Sequence, residues 1–467
     1  MKFTSKSQRW AIILTVPILL ILLIAVGSIF VGPKLWSSQT ATPTPVVAPT
    51  ITPGLVPTHT ITVTPTLTLT VVSTLTPTVA LTSTPIITPT ITSADPNPSV
   101  QPYLIGWFSR IDQLDALAGQ SASGANFVMP YGGAGSPDDV RRYLDAAQRF
   151  GIKVLIDMHA HPSEWEPPTL EEYQREVHAN KDHPALYGWY VADEPEAYAD
   201  TEGLGYLQPV YDTFKAEDPN HPVAVIHNET PDANWISVYD TLMIDYYPGW
   251  TKYDPKEFNW MVRKSYPIWR DGIAFAKQHG KQGFIAVALG FGQDENGQPR
   301  NGTRDLTYKE YRFHVLSAVV SGASGVLFYK QEWADANVQQ LVGKLITQIR
   351  SIGAEMNNGT TNDPQIRVSE NSDRLVYRYG VNQQRHVILA VNIAGYNAND
   401  SKPGPKLIDV RFKVPTGIQS VTVLDENRTL PVDATGTFVD SFEPFAVHAY
   451  AFSDLGAESA SPLPTNR

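Results

Sequence analysis

The chain contains no cysteine. Disulfide frameworks and thiolate metal centres are therefore excluded, and an exported protein of this sequence must rely on packing alone. Charge is absent from one long stretch: no Asp, Glu, Lys or Arg occurs between Lys34 and Asp95. That stretch also lacks a helical or strand period, and its recurrent Thr-Pro steps interrupt both kinds of element. It cannot bury a core. Residues 37–99 are expected to form a disordered, polyproline-like spacer, each residue reaching about 3 Å.

Positive charge is the scarcer sign, with 36 Lys and Arg against 47 Asp and Glu and a net charge of −11. Lys2, Lys6, Arg9 and Lys34 fall in the first 36 residues, which hold no acid, so the remainder carries about −15. Such a body has no electrostatic footprint for nucleic acid and suits a neutral or basic substrate. A Gly-x-Gly-x-x-Gly turn after the first candidate strand is also missing, which argues against a doubly wound dinucleotide-binding sheet.

What is present begins with an apolar run from Trp10 to Val31. About 20 residues at 1.5 Å per residue cross a bilayer core. The basic residues before the run place the N-terminus in the cytoplasm and the rest outside, as a single-pass anchor over residues 1–36. A cleaved signal peptide is the alternative, but the run is long for one and no Ala-x-Ala site follows.

From Pro102 onward short β-branched or aromatic runs alternate with amphipathic stretches, the rhythm of parallel strands with crossover helices. Eight runs are expected as strands: 103–108, 126–130, 153–158, 186–192, 223–227, 241–245, 283–289 and 325–329. Ser136-Pro137, Thr169 with Glu172, and Thr307 with Glu310 mark helix starts. The expected fold is a (β/α)8 TIM barrel over 100–359, then an antiparallel β-sandwich over 360–453 and a disordered tail over 454–467.

Barrels of this kind carry functional groups at the C-terminal ends of their strands. There the sequence supplies Asp157 and His159 (strand three), Asp193-Glu194-Pro195 (four), His227-Asn228 (five), Asp245 and Tyr247 (six) and Glu332-Trp333 (eight), with Trp107 on strand one. Carboxylates among aromatics suit carbohydrate chemistry, since glycosidic cleavage uses a proton donor and a second carboxylate, and sugars stack on aromatic faces.

The segment HPALYGWYVADEPEA resembles the strand-four motif of glycoside hydrolase clan A barrels, whose fourth strand ends in Asn-Glu-Pro or Asp-Glu-Pro. The resemblance implies that Glu194 is the general acid/base and that Asp193 contacts the sugar 2-hydroxyl. Tyr247 is similar to the clan's strand-six tyrosine and Trp333 to its strand-eight aromatic platform. His159, Asp157, Trp107, Asn228 and Glu332 complete the expected substrate-binding set. No cofactor or metal is expected, and the barrel is expected to be a monomer.

One departure limits this likeness. The clan places a nucleophilic glutamate at the end of strand seven, where this chain has Leu289-Gly290. Asp294 and Glu295 come only after a Gly-Phe-Gly-Gln turn. Asp245 is favoured as the second carboxylate, activating water. Asp157 or Glu332 could replace it, or Asp193 and Glu194 could act as a pair on a 2-acetamido sugar without a protein nucleophile. The functional alternatives are a glycoside hydrolase, a catalytically inactive carbohydrate-binding barrel, and a metal-dependent hydrolase using His159, His161 and His227.

Overall fold

A computed structural model describes residues 102–453, apart from 132–135, 160–167, 199–202, 251–256, 295, 301–303, 362 and 397–401. The expected anchor, spacer and tail lie outside these residues, as do His161 and Glu295. Among the described residues no helix is long and apolar enough to cross a membrane.

The eight apolar runs form eight parallel strands in chain order around a closed barrel: β1 (Leu104–Arg110), β2 (Phe127–Tyr131), β3 (Lys153–Asp157), β4 (Leu186–Asp193), β5 (Val223–His227), β6 (Thr241–Tyr246), β7 (Gly283–Leu289) and β8 (Gly325–Tyr329). Two-residue alternation sends one set of side chains to the axis. Phe127, Met129, Leu155, Ile226, Met243 and Val287 fill the interior. The alternate set, including Val128, Val154, Val225 and Leu242, meets the surrounding helices.

Those helices are α1 (Ala116–Ala122), α2 (Pro137–Arg149), α3 (Leu170–Asn180), α4 (Gly203–Glu217), α5 (Phe258–Gln278), α6 (Tyr308–Ser321) and α7 (Ala336–Asn357). Their starts follow the local chemistry. Ser136 and Asp139, Thr169 and Glu172, and Thr307 and Glu310 each form a reciprocal capping box, in which side chains satisfy N–H groups that the first helical turn leaves open. Each cap stabilises its helix by about 1 kcal/mol. The ring departs from the expected pattern in one unit. Residues 228–240 give only a short 3-10 helix, Ala233–Val238, between β5 and β6. The segment is short and contains Pro231, so a full crossover helix has no room.

After α7 the chain builds two antiparallel sheets. One holds β10 (Leu375–Asn382), β11 (Arg385–Asn392), β16 (Val447–Ser453), β13 (Ser420–Val423) and β14 (Arg428–Pro431) in that order. The other holds β15 (Thr437–Phe442), β12 (Leu407–Lys413) and β9 (Arg367–Val368). Phe412 and Phe438 of the smaller sheet pack on Tyr450 of the larger, with ring centroids 5.2 and 4.8 Å away, so the two sheets bury a common core. The larger sheet also packs on α6 and α7, where Phe313 meets Phe445 with centroids 5.1 Å apart.

Candidate active site

The C-terminal mouth of the barrel holds a cavity of about 360 Å³ lined by Asp157, His159, Asp193, Glu194, Asp245 and Tyr247, together with Tyr131, Tyr190, Trp250 and Tyr329. Strand parity explains part of this gathering. Met243 faces the axis, so Asp245 and Tyr247 face it too; Leu155 does, so Asp157 follows. On β4 the register against β5 shifts between Tyr190 and Ala192. That irregularity lets Tyr190 and Asp193, three residues apart, both reach the mouth, where the Tyr190 hydroxyl donates to Asp193 Oδ1 at 2.8 Å.

Glu194 follows Asp193 directly and ordinary alternation would turn it away. Its φ of +43° bends the chain back, while its N–H donates to the Ile226 carbonyl at 2.9 Å. A left-handed non-glycine residue stores strain, and such strain collects at functional sites. The next turn is clamped onto β5. Glu196 Oε2 accepts from His227 Nδ1 at 2.7 Å, and its Oε1 accepts from the Asn228 N–H at 3.2 Å. Burial would push the Glu196 carboxyl up, but the hydrogen bond and charge of His227 outweigh it and hold it below the usual range. The Asn228 side chain in turn hydrogen-bonds Glu194.

Electrostatically the mouth is crowded with acids. Burial, then the charges of Asp193 and Glu196, push the Glu194 carboxyl up against the opposing Asn228 hydrogen bond. Asp245 is pushed further up, by burial first and then by Glu194 and Asp193, and its Oδ1 is buried without a hydrogen-bond partner. His159 supplies the counter-charge. Burial lowers its imidazole, but Asp157, with Oδ1 2.5 Å from Nδ1, and the charge of Asp193 outweigh burial and hold it at about 9. His159 is thus an imidazolium at neutral pH, already partnered by Asp157.

An aromatic wall closes one side. Tyr247 stacks on Tyr329 with centroids 5.5 Å apart, Trp250 stacks on Trp333 at 6.4 Å, and Phe291 stands edge-on to both tryptophans. Trp250 is 48% exposed, so part of its ring stays accessible to a ligand. Trp333 backs it and is covered by Lys330 Nζ, 4.0 Å from the ring centroid.

Not every expected residue converges here. Trp107 lies on the opposite parity from Phe108; it is 4% exposed and packs on Phe328 between the barrel and its helices, so it does not line the mouth. Glu332 meets the mouth only through Tyr131, whose hydroxyl donates to its Oε1 at 2.5 Å. Asn228 lines an adjoining groove. Asp294 does not fold over the site; its Oδ1 accepts the Asn296 and Gln298 N–H groups and builds a turn. The histidines do not gather either. His159 faces the axis, whereas His227 is fully buried on the other parity against Trp235 and Tyr239. Among the described residues no three His, Asp or Glu side chains are arranged to hold a metal ion.

The end of β7 is a structural junction. Leu289 is buried and its N–H donates to His314 Nε2 at 3.2 Å. Burial drives His314 down to about 3, so it is a neutral acceptor there. At Gly290 a Cβ would stand 2.9 Å from Phe328 Cβ and from Trp107 Cζ3, which leaves no room for a side chain. Glu196, Tyr190, Tyr329 and Tyr131 were not singled out by the sequence reading. The Glu196 signal was present, two residues after Glu194 in the same motif, but its partner His227 is distant in sequence.

Residues 142–274, spanning the Asp-Glu-Pro strand end and Asp245, match the family profile described as glycosyl hydrolases family 2, TIM barrel domain. A β-glucuronidase of Chlorocebus aethiops is 30% identical over 116 residues, which cover 23% of this chain and 18% of that protein. A β-glucuronidase of Pongo abelii is 35% identical over 116 residues, with the same shares. The chain therefore spans less than a fifth of the length of these relatives. A solved glycoside hydrolase family 5 structure from Bacteroides vulgatus aligns over 75% of this chain and 89% of its own at 12% identity, with a TM-score of 0.49. The barrel of this protein is a closed (β/α)8 barrel, and residues 142–274 within it are similar to the barrel domain of glycosyl hydrolases family 2.

Proposed function

We propose that the protein is a glycosidase acting on a neutral saccharide, with Glu194 as proton donor and Asp245 as the second carboxylate. The observation behind this reading is that two desolvated carboxyls share the same cleft: Glu194 and Asp245 line both the mouth cavity and the groove beside it. A raised carboxyl stays protonated at a pH where ordinary carboxylates are ionised, as protonation of a glycosidic oxygen requires. Asp245 takes the second role because it alone of the candidates lines both spaces with Glu194. Asp157 lines the mouth only and is paired with the His159 imidazole, Glu332 lines neither space, and a Cβ at Gly290, at the end of β7, would meet Phe328 and Trp107. Asp245 carries the stronger push towards protonation, so acid and base behaviour belongs to the pair, and the reaction requires the proton on Glu194.

Charge supports a neutral sugar. The relatives are named for glucuronides, whose carboxylate would here face Asp193, Glu194 and Asp245. Among the described lining residues the mouth cavity carries no Lys or Arg, and His159 is spoken for by Asp157. The test is a panel of aryl glycosides and oligosaccharides, with Glu194→Gln as control. Hydrolysis that Glu194→Gln leaves intact would remove the assignment. Proton NMR of the first-formed anomer checks Asp245: water activation predicts inversion, and retention would require another partner.

The gap at β7 favours one rival, a barrel that binds carbohydrate without cleaving it. Binding by the panel sugars with no turnover in the wild-type protein would select it. We further place the barrel outside the cell on the anchor read from residues 10–31. Protease shaving of intact cells that fails to release it would argue against that.

A further inference from the structure

The unit between β5 and β6 is the one whose helix is reduced to a six-residue 3-10 segment, and beside it lies a groove of about 640 Å³. The 3-10 segment packs on α4. The groove runs between Asn228–Thr230, at the end of β5, and one face of α5 carrying Trp260, Lys264, Ile268 and Asp271. These positions recur every three to four residues, so they form a stripe down the helix, about 16 Å from Trp260 to Asp271 at 1.5 Å per residue. Trp260 is half-buried in the groove wall, with Lys264 Nζ 3.9 Å from its ring centroid. The upper end of the groove opens on Glu194, Asp245, Tyr247 and Trp250, all four of which also line the mouth cavity.

We propose that this groove seats the leaving-group side of a chain-like, neutral saccharide, with Trp260 and Ile268 as its specificity-determining contacts. The proposal rests on the glycosidase reading for which bond is cut, but not for what binds. Direction follows from Glu194, whose side chain is hydrogen-bonded to Asn228, a residue of the groove and not of the mouth cavity. The proton donor therefore stands on the groove side, and a general acid faces the oxygen that leaves. The sugar retained through cleavage then occupies the mouth over the barrel axis, and the departing chain lies along α5. The lining favours an uncharged chain: Glu229 and Asp271 join the two cleft carboxyls, against Lys264 as the single cation on the described lining. Two indoles and the Pro267–Ile268 surface offer apolar area for sugar rings, while Lys264 and Asn228 offer donors for hydroxyls.

The experiment measures binding and turnover separately. Calorimetry on the Glu194→Gln protein with cello-, manno- and malto-oligosaccharides, from disaccharide to hexasaccharide, should show affinity rising with length in one series. Adding Trp260→Ala should remove about tenfold of the gain for the longest member and little for the disaccharide. Ile268→Gln, on the same helical face, gives an independent second reading should Trp260→Ala fail to fold. In parallel, the kcat/KM ratio of hexasaccharide to disaccharide in the otherwise native protein should fall by a similar factor. A length gradient that neither variant changes overturns the groove assignment while leaving the glycosidase reading in place. A Trp260-dependent gradient without turnover keeps the groove and removes the glycosidase reading. Binding without any gain from length removes the groove alone, and absence of both binding and turnover removes both.

Discussion

Two clusters of charge in this protein have opposite characters. In the C-terminal sheets, Arg428 places Nη1 and Nη2 on Asp440 at 3.0 and 2.8 Å and Nε on Glu426 at 2.8 Å, while His448 bonds the other Glu426 oxygen and the Tyr450 hydroxyl also donates to Asp440 Oδ2. Burial would raise both acids, but the hydrogen bonds of Arg428 and Tyr450 to Asp440, and those of His448 and Arg428 to Glu426, outweigh it and hold each below the usual range. In the barrel mouth, Glu194 and Asp245 are also desolvated, yet their charged neighbours are other acids, and both are pushed up. A matched cluster ties strands together and has nothing left to offer a ligand. A mismatched one is held in place by the surrounding fold and retains unspent bonding capacity. Asp245 Oδ1 and Asp157 Oδ2 are both buried without partners.

The largest effect should come from Glu194→Gln. Losing a positioned acid costs about 10²–10⁴-fold in kcat, and thermal stability should hold or rise because the amide has no ionised form for burial and Asp193 to disfavour. A fall in Tm with activity retained would reverse the contrast between the clusters.

Asp245→Asn should come next, with a loss of about 100-fold in kcat and a gain in stability at neutral pH. The sign follows from linkage. The folded carboxyl is raised above its unfolded value, so its contribution to stability is full below the unfolded value and is lost as pH rises through the folded one. At pH 7 the amide avoids that loss, and each kcal/mol recovered is worth roughly 2–4 °C in Tm for a domain of this size. Differential scanning fluorimetry at pH 4.5 and pH 7 checks it: the advantage of the variant should shrink at the lower pH.

How far this site could be read from sequence depended on parity and on partners. The barrel was legible because β5, β7 and β8 are apolar runs bounded by turn signals, and because three capping boxes announce their helices within four residues. Asp245 and Tyr247 were legible for the same reason, since β6 continues a plain alternation to its end. Trp107 misled because a strand end was read without its register. One step along β1 decides whether a ring faces the axis or the helices, and here Phe108 faces the axis. The reduced helix after β5, the β4 irregularity and the left-handed turn at Glu194 are set by tertiary fit, and no local pattern encodes them.

Arg428→Ala tests the matched cluster from the other side. It leaves Asp440 and Glu426 half-buried with fewer donors, and breaking such a pair costs several kcal/mol when fully buried, here about 2–3 kcal/mol because Arg428 is 32% exposed. Urea unfolding should show that loss, while kcat per folded molecule stays at the wild-type value. A drop in kcat would mean that the sheets shape the mouth.

The smallest expected effect is the most specific. Asp193→Asn removes the charge that, after burial, does most to hold the Glu194 carboxyl up. Glu194 should then ionise at lower pH, and the alkaline limb of the kcat/KM profile should move in the acid direction. The same substitution also withdraws a charge that helps hold up His159, so the imidazolium should lose its proton at a lower pH, which NMR of the ring can follow independently of turnover. If the alkaline limb stays while His159 moves, then Asp193 acts on the imidazole and burial alone raises Glu194. The mouth would then be governed by desolvation, and repulsion between its acids would matter chiefly at Asp245.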